Sequence, residues 1–403
     1  MSHTARLGLV TLTSALLLRG ALASAQTAGA PPPPSPATLR VGLGHGLTAR
    51  TADDRFSLSL RVRAQTRASW RSEEDGADRD DDTVGFELRR LRLLATGNFL
   101  GPRWRYYVQL GFSNQDTEPD LRLPLRDAWI QWTGLRDLSL RFGQGKVPFN
   151  RQRVTSSSAL AMVDRSTANG ELNLDRDVGL TLFSDDLFGL GGRLGYRLAV
   201  FGGDGRNRLA TNSGLLYVAR LQFSPFGGFD DGPETDLTRD HRLRINLGVS
   251  GAYNAESVRS RSTTGDTYSL GGFDQRHAEV DLMVKWRGFS LLAECLWRQA
   301  VTPTRQGTGQ GGAQLTERAR DAWGYFAQVG YAFTTYLDAQ VRWGEVFPIG
   351  EGSPVARSRE LGVSMGWYPF GHDLKLQADY FRLTGEDLSV GRHQVRVQAQ
   401  LFF

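Results

Sequence analysis

Arginine side chains recur at alternate positions in the first regular stretch of the chain, residues 55–71. Arg61, Arg63 and Arg67 fall on one side of that stretch, and apolar residues such as Val62 fall on the other. Guanidinium groups bind carboxylates and phosphates through paired hydrogen bonds, so a row of them is typical of a path for oxyanions. Acidic side chains on comparable faces leave an alternative open, in which the charges only balance one another.

A second group of bases lies between Arg141 and Asp177, in a segment that begins as a strand and then loses its alternation. A loop of about thirty residues without a period is either disordered or functional. We predict that this loop and the neighbouring strands contribute anion-binding side chains. The predicted binding residues are Arg61, Arg63, Arg67, Arg89, Arg90, Arg141, Lys146, Arg151, Arg153 and Arg165.

Other kinds of chemistry find little support in the residue pattern. The six histidines are scattered, no Gly-x-Ser-x-Gly motif occurs, and no His/Cys cluster has metal-ligand spacing. The glycine runs at 202–205 and 309–312 lack the strand-to-helix setting of a phosphate cradle. We therefore expect no enzyme, no metal and no cofactor, with a barrel that hydrolyses lipids as the less favoured alternative.

The elements that carry these charges are predicted to be amphipathic strands. Between Phe56 and Trp70 apolar and polar residues alternate, which places them on opposite faces of a sheet. No run of about 20 apolar residues exists outside the extreme N-terminus, so membrane-spanning helices are excluded. The mean hydropathy of −0.35 fits strands with one apolar face. About sixteen such strands predict an all-β fold, a transmembrane antiparallel β-barrel.

The connections between these strands alternate in length. Short turns are predicted at 100–102, 287–288, 334–335 and 369–372, and long loops at 72–83, 145–176, 255–276 and 301–321. Residues 224–241 are the one long connection on the short side. Sixteen strands leave both termini on one side and enclose an aqueous channel. We predict that residues 145–176, the third long loop, fold into the lumen, and that a bulge lies at Arg89-Arg90.

The two ends of the chain predict export and membrane assembly. Residues 1–25 have the basic start, apolar core and small-residue cleavage site of a signal peptide. Residues 26–54 form a Pro-rich leader and a flexible pre-barrel segment that includes Gly44-His45-Gly46, and residues 55–403 form the barrel. The chain ends on an amphipathic strand at Phe403, which predicts recognition by the barrel assembly machinery.

The loop and its flanks resemble the phosphate-selective porin O/P family. The resemblance rests on GQGKVPFNRQRVTSSSALAMVDRS at 143–166, RDAWIQW at 126–132, FELRRLRL at 86–93 and MGWYPFGHDLKLQADYF at 365–381. It implies a sixteen-stranded trimeric channel with an inward third loop and an arginine-lined path. By motif match, it also implies that Arg89, Arg90, Asp127 and Lys146 lie on the path of the anions.

Together these observations predict an outer-membrane channel for passive diffusion of small hydrophilic solutes, with a preference for anions and with phosphate as a candidate. The expected partners are outer-membrane lipid, small anions, two further copies in a homotrimer and the assembly machinery, with no nucleic acid. The first alternative is a structural or surface-interaction barrel that is plugged by its long loop.

Overall fold

The computed structural model describes residues 38–73, 82–118, 121–209, 212–309, 311–386 and 391–403. The predicted signal peptide and the Pro-rich part of the leader lie outside the described residues. They stay predictions.

Sixteen antiparallel strands form a closed barrel in the described part of the chain, which confirms the predicted fold. The strands are β1 Ser57–Glu73, β2 Thr83–Asn98, β3 Trp104–Gly111, β4 Leu125–Trp132, β5 Ser139–Lys146, β6 Arg176–Ser184, β7 Leu194–Phe201, β8 Leu216–Phe223, β9 Arg244–Ser257, β10 Phe273–Trp286, β11 Phe289–Ala300, β12 Ala322–Ala332, β13 Leu337–Pro348, β14 Ser358–His372, β15 Leu374–Thr384 and β16 Gly391–Phe402. Closure comes from pairing of β16 with β1, where Phe402 lies opposite Arg63 and Arg392 lies opposite Glu73.

Strand β1 shows how alternation produces the two faces of the wall. Arg63, Gln65 and Arg67 are buried on the lumen side, whereas Leu58 and Val62 are exposed on the outer side. Closing the sheet satisfies the backbone hydrogen bonds of each strand, which is the condition for crossing a bilayer with strands. The apolar outer face then meets lipid, and the charged face lines the interior.

The predicted bulge is present where β1 pairs with β2. Gln65 lies opposite Arg90, and the next residue, Thr66, lies opposite Leu88, so Arg89 is the extra residue on β2. A bulge of this kind re-aims the side chains around it. Consequently Arg89 and Arg90, although adjacent in sequence, both reach the same loop carboxylate in the lumen.

The segment before the barrel differs from the flexible one that the sequence suggested. Thr38–Gly42 and Gly46–Arg50 form a hairpin whose second strand pairs with the first residues of β1. The turn adopts positive φ angles of 75° at Gly44 and 62° at Gly46, which glycine accommodates without steric cost. The Gly-x-Gly spacing therefore supports a tight turn rather than a loose linker.

The connections alternate in length as predicted, and two connections that enter the lumen from opposite ends bear on the site. Residues 147–175, between β5 and β6, form the inward loop; it contains the short helices α1 Arg151–Val154 and α2 Thr167–Leu172. Residues 224–243, between β8 and β9, form the inward turn, which enters from the opposite end of the barrel. A further hairpin, Thr304–Thr308 with Gln314–Arg318, lies in the connection between β11 and β12.

The helical content of the described residues is small. Ser166 begins helix α2 because its side-chain oxygen accepts a hydrogen bond from the Asn169 backbone N–H. Two 3-10 segments, Asn114–Asp116 and Leu187–Gly189, occupy connections between strands. None of the helices in the described residues is long and apolar enough to cross a membrane.

An apolar core lies inside the barrel, on the side of β8–β13. From the inward loop it contains Phe149, Leu172 and Leu174, which are almost completely buried. The remaining members include Leu216, Val218, Met283, Leu292, Leu296, Phe326 and Val346 from these strands, and Phe201 at the end of the neighbouring β7. Full burial of each large apolar side chain contributes about 1.5–3 kcal/mol. This part of the lumen is therefore packed like the interior of a globular protein.

Candidate functional site

The inward loop is fastened to the barrel wall on several sides. Arg220 of β8 donates to the Phe149 carbonyl oxygen at 2.8 Å. Arg298 of β11 binds Glu171 at 2.7 Å, on the far side of the loop. The loop thus spans the lumen as a constriction, which is the position that its sequence predicted. Further fastenings come from Asn150 to Glu294, Lys375 and Gln377 to the Leu160 carbonyl, and Asp379 to the Val163 backbone N–H.

A single loop carboxylate collects three of the predicted arginines. Asp164 lies 2.9 Å from Arg89, 3.3 Å from Arg67 and 3.5 Å from Arg90. Burial alone would raise the pKa of the Asp164 carboxyl. Arg89, Arg90 and Arg67 more than offset that effect and hold its pKa well below the ordinary value of 3.8. These arginines therefore fasten the loop to β1 and β2.

An open cavity of ≈ 310 Å³ remains between the inward loop and strands β1–β7. We call this side of the lumen the open half, and the side of β8–β13 the filled half. The cationic lining of the cavity comes from Arg63, Arg92, Arg141, Lys146, Arg176 and Arg197, and its one carboxylate is Asp127. The cavity thus carries a strong excess of positive charge.

Three of these cations have no carboxylate partner within salt-bridge distance among the described residues: Arg63, Arg141 and Lys146. Arg63 donates to the Ser156 hydroxyl at 3.1 Å, and Arg141 donates to the Gln131 side-chain oxygen at 2.7 Å. The Lys146 ammonium donates to the carbonyl oxygens of Val154 and Thr155, at 2.7 and 2.9 Å. Neutral partners orient these groups but leave their positive charge uncompensated.

The other cations in the cavity are paired. Arg176 lies 3.1 Å from Asp127 and 2.9 Å from Asp175. Arg92 binds Asp116, and Arg197 lies 2.6 Å from Asp185. Asp127, which the resemblance implied as a path residue, is therefore in the cavity, but it is neutralised by Arg176. The net excess comes from the three cations without a carboxylate partner.

A second cavity, of ≈ 400 Å³, lies toward the long-loop end of the barrel. Asp175 lines this second cavity, and Arg176 lines the first. Because Asp175 and Arg176 are bonded to each other, the two cavities adjoin at this pair. Four arginines belong to the lining of the second cavity, namely Arg126, Arg153, Arg206 and Arg259. The same lining carries the carboxylates Glu118, Asp175 and Asp266, so its excess of positive charge is much smaller than that of the first cavity.

The remaining predicted residues lie away from the first cavity. Arg61 sits near the turn end, 2.7 Å from Asp373 and over the Phe402 ring. Arg151 binds Asp281 at 2.6 Å within the filled half. Arg165 donates to backbone carbonyls of its own loop, those of Gln152 and Thr155. The structure therefore brings together Arg63, Asp127, Arg141 and Lys146 in the lining of the first cavity, and Arg165 lies behind Lys146, where it donates to the same Thr155 carbonyl oxygen.

An aromatic pair on the cavity wall was not among the predicted site residues. Tyr107 of β3 and Trp129 of β4 lie opposite each other and stack with ring centroids 5.2 Å apart. The Arg141 guanidinium carbon lies 4.4 Å from the centre of the Trp129 ring. Such a contact positions a guanidinium without cancelling its charge. The sequence does carry a signal for Trp129: it alternates with Asp127 and Gln131 along β4, so the three side chains share the inward face.

A closed sixteen-stranded barrel that is constricted from within by its third long loop defines the porin class of outer-membrane channels. The family model described as phosphate-selective porin O and P matches residues 61–403, and the chain belongs to that family. The family assignment places the protein in the outer membrane and points to a channel rather than an enzyme.

Several solved structures share the fold at low sequence identity. The outer membrane channel DcaP of Acinetobacter baumannii is 12% identical, with a TM-score of 0.54 over 88% of this chain and 99% of that one. An anion-selective porin from Comamonas acidovorans is 14% identical, with a TM-score of 0.54 over 86% and 100%. OmpF of Salmonella typhi, in complex with daunomycin, is 15% identical, with a TM-score of 0.55 over 87% and 99%.

One curated relative is an uncharacterized protein of Aquifex aeolicus (strain VF5), 28% identical over 144 residues. The match covers 32% of this chain and 34% of that protein, so the chain spans about a third of the relative's length.

Proposed function

We propose that this channel conducts small anions in preference to cations, through the open half of its lumen. The observation that carries the proposal is the group of three cations without a carboxylate partner, Arg63, Arg141 and Lys146, that line one cavity. At the dielectric constant of water, a unit charge attracts an ion about 4 Å away by about 1 kcal/mol. Inside a constriction the attraction is larger, because fewer water molecules screen it.

Phosphate is the anion that we propose as the first solute to test. The family description names it, and guanidinium groups bind phosphate oxygens in pairs. The relative from Comamonas acidovorans is described as anion-selective, which supports the broader preference. We also propose export by means of the N-terminal signal peptide, assembly as a homotrimer and recognition of the Phe403 strand by the assembly machinery.

Reversal potentials in planar bilayers test this function. In a KCl gradient the wild-type channel is expected to be anion-selective, and added phosphate is expected to reduce the chloride current. The triple variant Arg63→Gln, Arg141→Gln, Lys146→Gln should lose most of the preference. Each removed charge changes the attraction by about 1 kcal/mol, roughly a fivefold factor in an equilibrium.

A control variant should lose three charges outside the cavity. Arg103, Arg122 and Arg276 are exposed, and none of them lines either cavity. Their combined replacement by Gln is expected to leave the reversal potential close to that of the wild type. Cation selectivity of the wild-type channel would overturn the proposal, and anion selectivity without phosphate block would restrict it to anions in general.

Measurement of the conductance itself separates this proposal from the plugged-barrel alternative. The inward loop packs into an apolar core on one side of the lumen, which is the observation that favours a plug. Negligible single-channel conductance in folded protein would favour a structural or surface-interaction barrel. A measurable, voltage-independent conductance would support a path through the open half.

A further inference from the structure

The inward turn is an unusual element on the end of the barrel where connections are short. It joins β8 to β9 through residues 224–243, whereas the turn between β10 and β11 needs only residues 287–288. Glu234, Thr235 and Asp236 are 2–3% exposed, although they belong to a connection between strands. Phe229 packs against the apolar core of the filled half. The turn therefore occupies the lumen rather than the space below it.

The turn is joined directly to the inward loop. The Glu234 backbone N–H donates to the Ala159 carbonyl oxygen at 3.0 Å. The Glu234 carboxylate accepts from the Ala161 backbone N–H at 2.9 Å and from the Gln152 side chain at 3.2 Å. Asp231 of the turn lies 2.7 Å from Arg151 of the loop. Two elements that enter the barrel from opposite ends thus meet inside it.

The same turn is also tied to the wall of the filled half. Lys285 of β10 donates to the Asp230 carbonyl oxygen at 3.0 Å. The Gly288 backbone N–H donates to Asp236 at 2.7 Å. Gln328 of β12 donates to Glu234 at 3.2 Å, so the carboxylate of Glu234 contacts turn, loop and wall together.

Glu234 has the properties of a fastening residue. Among the described residues no cation lies within salt-bridge distance of its carboxylate, and neutral N–H donors satisfy it instead. A buried carboxylate is costly unless such donors surround it, and it only accepts hydrogen bonds. The donors on the loop and on β12 must therefore stay in place for as long as the carboxylate is buried.

We propose that the inward turn is a second closing element of the channel and that Glu234 is the positioning residue that fastens it to the inward loop. Together the two elements keep the filled half shut, so ions pass through the basic cavity alone. If the link is broken, a second route opens along β10 and β11. Glu279 and Asp281 on that route are paired with Arg220 and Arg151, and Glu294 has no paired cation among the described residues. The route therefore lacks the uncompensated positive charge of the basic cavity and discriminates less between anions and cations.

Paired variants test this link. Glu234→Ala is expected to increase single-channel conductance and to lower the anion preference at the same time, whereas Glu234→Asp should lie between Ala and wild type. Asp236→Asn is the matched control, because Asp236 is equally buried in the same turn but bonds to the wall and not to the loop. Unchanged conductance in Glu234→Ala, or an equal change in Asp236→Asn, would overturn the proposal.

A reversible cross-link covers the case in which Glu234→Ala does not fold. Glu234 and Ala159 are joined by a backbone hydrogen bond, so cysteines at both positions, in a Cys295→Ala background, lie close enough to be bridged. The oxidised or bridged channel should conduct like the wild type, and reduction should raise its conductance. Equal conductance in the two states would count against the link.

The selectivity readout rests on the proposed anion preference, and the conductance readout does not. A wild-type channel without anion preference, combined with a higher conductance in Glu234→Ala, would remove the proposed function and keep the closing role of the turn. Anion preference with no effect at Glu234 would do the reverse.

Discussion

The two halves of the lumen are built from the same kind of strand, but one half encloses a cavity and the other encloses an apolar core. In the open half the wall presents arginines and a lysine to a cavity of ≈ 310 Å³. In the filled half Met283, Leu292, Leu296 and Phe326 point inward and pack against the inward loop. Alternation alone therefore does not determine what lies inside a barrel. The side chains that face inward decide whether a region holds water or protein.

The difference teaches how one loop produces an asymmetric channel. A loop held only by ion pairs would move when ions compete for its partners, because exposed ion pairs are weak. In the filled half apolar packing adds to ion pairs such as Arg151 with Asp281 and Arg298 with Glu171, so the loop does not depend on charge alone. The cations of the opposite side then remain available to solutes, and three of them have no carboxylate partner in the described residues.

The largest expected effect is a difference in the free energy of unfolding between a substitution in the filled half and one in the open half. Phe149→Ala removes a fully buried ring from the filled half and should lower the free energy of unfolding by about 3–5 kcal/mol. Val154→Ala, at a half-exposed position on the cavity, should change it by less than about 0.5 kcal/mol. Denaturant unfolding in detergent, followed by tryptophan fluorescence, measures both. Equal losses would contradict the division into two halves.

The strands could be predicted from the sequence because their signal is local. A period of two is visible within each strand, and the bulge at Arg89 appears as a break of that period. The Arg63, Arg141 and Lys146 part of the site was predicted for the same reason. Inward parity assigned the first two to the lumen, and the motif at 143–166 drew attention to the third.

The filled half could not be predicted in the same way, because its signal joins distant segments. The run from Leu291 to Trp297 is apolar at both parities except for Glu294, which in retrospect indicates a wall covered on both faces. No local sequence pattern predicts that Phe149 and Leu296 belong to the same apolar core. The sequence marked residues 224–241 only as an unexpectedly long turn, and its insertion into the lumen depends on partners such as Ala161.

A smaller effect is expected where the loop is fastened to β1 and β2. Asp164→Asn removes the charge that holds Arg67, Arg89 and Arg90, and hydrogen bonds to charged groups contribute about 1.5–3 kcal/mol. The loop should then fluctuate, which appears as excess noise in single-channel current at neutral pH.

The pH dependence of the wild type follows from the same carboxyl. Because its pKa is lowered when the loop is fastened, the stabilisation is complete above the ordinary value of 3.8 and is lost as pH falls through the lower value. Current noise should therefore stay constant from neutral pH down to about pH 5. If current noise rose between neutral pH and about pH 5, groups other than Asp164 would have to fasten the loop.

The smallest expected effect compares two aromatic rings that each lie under a guanidinium. Trp129→Leu removes the ring beneath Arg141 in the open half, and Phe381→Leu removes the ring beneath Arg342 and Arg396 near the filled half. Each contact is worth about 0.5–2 kcal/mol.

Since Arg141 has no carboxylate partner in the described residues, loss of Trp129 should shift the reversal potential, by a few-fold change in the permeability ratio, with little change in stability. Arg342 and Arg396 are paired with Glu360 and Asp379, so loss of Phe381 should reduce stability and leave the reversal potential unchanged. A shifted reversal potential in Phe381→Leu and an unchanged one in Trp129→Leu would place the ion path in the filled half.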